Sequence, residues 1–130
     1  MNRIARFSFI TSMNLLFLSA CDNSVSPLAD KNHGSINYPE YDQPQLQLGR
    51  SIWLENCQAC HGTGLAGAPL IGNKQQWRAR IAKDTSVLYQ HALNGFEGVS
   101  GTEMPARGGN DALTDKQVKA AVDYMLKVSE

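Results

Sequence analysis

One pentapeptide constrains this chain more than any other feature: Cys57-Gln58-Ala59-Cys60-His61. Two thiols with two residues between them, and a histidine directly after the second, form the C-x-x-C-H signal for covalent attachment of c-type haem. Chemistry sets the spacing. The thiols add across the two vinyl groups of the ring, and the adjacent imidazole is then directed at the iron from one face. Other uses of these residues fit less well. Structural zinc takes four ligands, and the chain has no second Cys/His pair to complete the set. A thioredoxin-like dithiol follows a strand in a βαβ unit, whereas the residues before Cys57 carry a helical pattern. A Cys57–Cys60 disulfide would leave the core of a small domain unfilled.

Haem iron bound by His61 needs a sixth ligand. Of the four methionines, Met1 and Met13 fall in a segment that reads as an export signal, and Met125 lies on an apolar helix face. Met104 sits in a glycine-rich stretch as Thr102-Glu103-Met104-Pro105. The proline holds the backbone of Met104 extended. Met104 is therefore the expected distal ligand, with His91, on a predicted helix, as its rival. A His/Met pair adds no negative charge to the iron and favours the ferrous state. It also leaves no open position for oxygen or peroxide. The expected function is single-electron transfer without catalysis. The alternatives are a haem peroxidase-like enzyme, if Met104 leaves the iron, and a cytochrome subunit of a larger oxidoreductase complex.

The 130 residues divide into an address, a tether and a domain. Residues 1–20 carry Arg3 and Arg6 ahead of an apolar run, Phe7 to Leu18, that is short for a membrane span and reads as a signal peptide. Leu18-Ser19-Ala20-Cys21 resembles a bacterial lipoprotein signal, which implies lipidation at Cys21. Residues 21–45 are rich in Ser, Asn, Asp and Gln, include Pro27, Pro39 and Pro44, and read as a lipid-anchored flexible linker. His33, within it, has no assigned role. Residues 46–130 hold ten of the eleven glycines and form the domain. Without Arg3 and Arg6 the chain has ten basic against twelve acidic residues, too few cations for a nucleic-acid binder.

The domain reads as all-α. Leu46, Gly49, Ile52 and Trp53 follow helical steps towards Cys57. A second helix is expected near 74–83, with Asn73 as cap and Gln76 as its reciprocal partner. A third runs from the Asp84 cap to Asn94-Gly95. The last starts at Thr114, with Gln117 completing a capping box and Leu113 and Val118 at the staple positions. Residues 96–112, with four glycines and a proline, are expected to form a loop.

The stretches CQACHGTGLAGAPLIGN (57–73), WRARIA (77–82), LYQHALNGF (88–96) and MPARGGN (104–110), with the helix AAVDYM (120–125), resemble class I cytochromes c, in particular the bacterial cytochrome c5 family. That resemblance implies about four helices around one covalently attached haem c. It implies that the first and last helices cross through Gly49 and Trp53 on one side and Ala121 and Tyr124 on the other. It implies that the Pro69 carbonyl accepts the second N–H of His61, and that Trp77 and Arg80 lie near the haem propionates. Some relatives carry a further cysteine pair near the distal loop, which this chain lacks, and Asp84 stands where a glycine is commoner. The resemblance also implies transient docking of donor and acceptor redox proteins at the haem edge, near the C-x-x-C turn and Ala106. Lys74, Arg78, Lys83 and Arg107 are candidate steering charges. The protein is expected to be a monomer on the periplasmic side of the inner membrane, held by lipid on Cys21 or else soluble there.

Overall fold

A computed structural model describes residues 38–130. Residues 1–37, with the expected signal peptide, Cys21, His33 and most of the expected tether, lie outside the described residues. Five helices carry the described chain: α1 (Pro44–Asn56), α2 (Gln58–His61), α3 (Lys74–Ile81), α4 (Thr85–Asn94) and α5 (Asp115–Ser129). The all-α expectation holds, with one short turn of helix, α2, added directly after α1. Residues 96–112 depart from a plain loop. Strands β1 (Phe96–Glu97) and β2 (Glu103–Met104) pair antiparallel, with Phe96 opposite Met104. A run of two residues is too short for alternation to show in sequence. The pairing follows from Gly95, whose φ of +87° turns the chain out of α4.

Helix starts follow local chemistry. Asn73 accepts from the Gln76 N–H at 3.1 Å and Asp84 from the Ser86 N–H at 2.8 Å. At Thr114 the capping box is complete, with side chain and backbone exchanged between Thr114 and Gln117. At α3 it is not. The Gln76 side chain turns away from Asn73 and accepts the Leu70 N–H at 2.7 Å.

The core sits where α1 crosses α5. A Cβ on Gly49 would lie 2.1 Å from the Ala120 carbonyl oxygen and 2.9 Å from Tyr124 Cβ, so the two backbones meet where only hydrogen fits. Trp53 and Tyr124 are fully buried there, ring centroids 6.0 Å apart. The small residue facing Gly49 is thus Ala120 and not the expected Ala121. One residue turns an α-helix by about 100°, and Ala121 points instead with Val118, Val122 and Met125 into a cleft.

The packed domain also begins before residue 46. Tyr38 lies 4.5 Å from the Trp53 ring and Tyr41 6.1 Å from the Tyr124 ring. The Tyr124 hydroxyl donates to the Pro39 carbonyl at 3.0 Å, and Arg50 pairs with Glu40 at 3.3 Å. The prolines interrupt regular structure in this stretch, but its tyrosines bury apolar surface without needing a helix. Asp123 ties three helices together, accepting from Gln45 of α1 at 2.9 Å and from the Tyr89 hydroxyl of α4. Burial first, and then Asp123, push the Tyr89 phenol up to about 12.

Candidate haem site

The site begins where α1 ends. The Cys57 N–H continues α1 by bonding the Trp53 carbonyl at 2.9 Å, and α2 then carries Cys60 and His61. Burial, with Cys60 adding to it, pushes the Cys57 thiol up to about 11. His61 is 7% exposed. Its Nδ1 lies 2.9 Å from the Pro69 carbonyl oxygen, which leaves Nε2 as the ring nitrogen available to a metal. Burial holds the imidazole below its usual pKa against the opposing pull of the Pro69 carbonyl, and the Arg80 charge lowers it further. A neutral ring is the form that binds iron.

The segment presenting Pro69 is itself gripped. After His61 the chain loops out and returns, and the Ile71 N–H bonds the His61 carbonyl at 2.9 Å. Gln76 accepts the Leu70 N–H and the Trp77 Nε1–H donates to the Leu70 carbonyl, both at 2.7 Å. Helix α3 thus holds both backbone groups of the residue next to Pro69. An indole has one donor, and here it goes to the Leu70 carbonyl, so Trp77 supports the Pro69 segment. Arg80 donates to the Gln76 carbonyl at 2.6 Å and keeps further N–H groups.

Met104 reaches the site from β2. A Cβ on Gly95 would lie 3.1 Å from the Met104 carbonyl oxygen and 3.2 Å from the Ala106 nitrogen, so a glycine there allows the methionine segment to close over the end of α4. One apolar cleft is lined by Cys57, His61 and Met104, together with Ile52, Ala92, Leu113, Val118, Ala121, Val122 and Met125. Cys60 lies one residue before His61 on α2, and His91 does not line the cleft. His91 stacks on Phe96 instead, centroids 4.2 Å apart. Met125, read as a core residue, forms part of the cleft wall. Arg107 also lines it, and its guanidinium is bound to the Leu113 carbonyl at 2.8 Å and to Asp115 at 2.7 Å. Lys74 is occupied similarly, donating to the Glu130 carbonyl at 2.6 Å. Of the four candidate steering charges, Arg78 and Lys83 are the exposed ones without such a partner among the described residues.

The donor set fits haem c. Two thiols and one imidazole from the end of α1 and from α2, and one thioether from β2, meet a mostly aliphatic wall, which suits a flat apolar ring with a metal at its centre. Reasoning from sequence gave Gln76 and Gly95 helix-end roles only, and did not single out the Leu70 backbone. Their roles at this site depend on contacts between segments, which no local pattern encodes.

Known proteins agree with this geometry. A family model described as cytochrome c oxidase, cbb3-type, subunit III, matches residues 44–125. Cytochrome c-555 of Chlorobaculum thiosulfatiphilum is 43% identical over 82 residues, covering 63% of this chain and 94% of that protein. Cytochrome c5 of Azotobacter vinelandii is 32% identical over 79 residues, covering 59% and 89%. A solved cytochrome c in an electron transfer complex with nitrite reductase superimposes with a TM-score of 0.57 at 34% identity, covering 64% of this chain and 95% of that one. With the family model spanning more than half of the chain and the c-555 protein aligned along nearly its whole length, the chain belongs to the class I c-type cytochromes and carries haem c.

Proposed function

We propose that this protein is a monohaem carrier of single electrons between redox proteins on the outer side of a bacterial inner membrane. The observation that carries the reading is the convergence of Cys57, His61 and Met104 on one apolar cleft. Cys57 and Cys60 would hold the haem through thioether bonds, and the His61 Nε2 and the Met104 sulfur would ligate its iron. Haem c supplies a reversible one-electron couple. The chain's own residues tune and protect it. The Pro69 carbonyl orients His61 and raises its basicity. The aliphatic wall keeps water out. Met104, a neutral sulfur ligand, favours the reduced state. Arg80 remains a candidate donor to a propionate.

The ferric spectrum tests this reading. A low-spin spectrum with a sulfur-to-iron charge-transfer band is expected. A high-spin resting state with rapid peroxide turnover would instead identify an enzyme. Partners dock at the haem edge, near the C-x-x-C turn and Ala106, with Arg78 and Lys83 steering an acidic surface. The nitrite reductase complex of the structural relative supports docking of this kind. The match to an oxidase subunit model favours a second reading, in which the chain works as a fixed component of a complex. Mild detergent extraction separates the two: a free carrier appears alone, a subunit only in stoichiometric company.

No helix among the described residues is long and apolar enough to cross a membrane. The membrane link in this proposal is lipid on Cys21 after removal of residues 1–20. Mass spectrometry of the mature protein should find diacylglycerol on an N-terminal Cys21. An unmodified peptide spanning Ala20 and Cys21 rules the anchor out.

A further inference from the structure

We infer that Asn56 and Asn110 form a clamp that positions Met104, tying the loop that carries it to the residue just before the haem-attachment motif. Asn56 is the last residue of α1 and precedes Cys57 directly. Asn110 lies six residues beyond Met104, after a 3-10 turn, Ala106–Gly109, in which Arg107, Gly108 and Gly109 all have positive φ. Asn110 Nδ2 donates to Asn56 Oδ1 at 2.8 Å.

Neither amide can turn over without losing a backbone partner. Asn56 Nδ2 donates to the Ile52 carbonyl at 3.1 Å, so its Oδ1 is left to accept. The Ala112 N–H donates to Asn110 Oδ1 at 3.1 Å, so its Nδ2 is left to donate. The backbones close in beside the pair. A Cβ on Gly108 would lie 3.2 Å from the Asn56 carbonyl oxygen. Both asparagines are half-buried, where a hydrogen bond is stronger than in open water.

This deepens the proposed function and rests on Met104 being the distal ligand. A thioether is a weak, neutral ligand, so its hold depends on how rarely its loop swings away. One bridging hydrogen bond of this kind shifts such an opening equilibrium by about tenfold. Asn56 and Asn110 are positioning residues; neither lines the cleft.

The test uses the ferric holoprotein, with imidazole as a competing ligand and the sulfur-to-iron band as the readout. Asn110→Asp keeps the bond to Ala112 and the side-chain size, but sets an oxygen against Asn56 Oδ1. Its apparent imidazole affinity should rise about tenfold, with haem content and helicity unchanged. Asn56→Ala and Asn110→Ala should each raise the affinity, and the double variant no further than either alone. Asn94→Ala, which removes only an exposed bond to Gln90, should leave it unchanged. An unchanged affinity in Asn110→Asp overturns the clamp, as do additive effects in the double variant. A wild-type spectrum without the band overturns the Met104 reading, and the clamp with it.

Discussion

Gly49→Ala should collapse the domain. The added methyl would stand 2.1 Å from the Ala120 carbonyl oxygen. That neighbour is backbone inside α5, so no side chain can swing aside to relieve the contact. The helices would have to separate by more than an ångström, and the Trp53–Tyr124 packing beneath them would open. Overpacking of this kind costs about 3 kcal/mol, and more where backbone blocks relaxation. A domain of this size has a small margin of stability. The expected result is little haem-loaded protein, with a sharply lowered unfolding midpoint in whatever is recovered. A thermal melt followed by helical circular dichroism checks it. A Gly49→Ala protein that melts within a few degrees of wild type would mean that the crossing is looser than described.

Met104→Ala should leave the fold nearly intact and change the chemistry instead. Met104 is half-buried at the end of a two-residue strand, so truncating it removes modest packing. Cys57 and Cys60 are untouched, and covalent haem content should stay near wild type. The sulfur-to-iron band should vanish and the ferric form turn high-spin. The reduction potential should fall by a few tenths of a volt, out of the roughly 0.8 V that axial ligands span among haem proteins. The affinity for small ligands such as imidazole should rise by orders of magnitude. Potentiometric titration beside the optical spectrum reads all of this. A band that survived the substitution would move the distal ligand to another residue, with His91 first in line.

Much of this architecture was legible from local pattern. The C-x-x-C-H pentapeptide, the caps at Asp84 and Thr114 and the stop at Asn94-Gly95 each depend on residues a few positions apart. Other features were not legible, because they depend on contacts between segments. The bond from the Trp77 indole to the Leu70 carbonyl depends on how the loop after His61 returns. Helical spacing places Ala120 and Ala121 about equally well opposite Gly49, and only the crossing of α1 with α5 selects Ala120. The tether reads as running to residue 45 because its prolines and polar residues hide two aromatic contacts with the core, Tyr38 on Trp53 and Tyr41 on Tyr124. Arg107 read as a surface charge. Its bonds to Leu113 and Asp115 make it a fastener for the distal loop.

Helix α5 does two jobs on adjacent faces. Ala120 and Tyr124 receive α1, while Val118, Ala121, Val122 and Met125 wall the cleft. The two faces are separated by one residue of helical rotation, about 100°. Their registers are therefore locked together. A single residue inserted near the middle of α5 would turn one half against the other, presenting a cleft residue to Gly49 or a tyrosine to the haem. Change in this helix is confined to same-size substitutions and to its two ends, so its interior length cannot drift while both faces keep their partners.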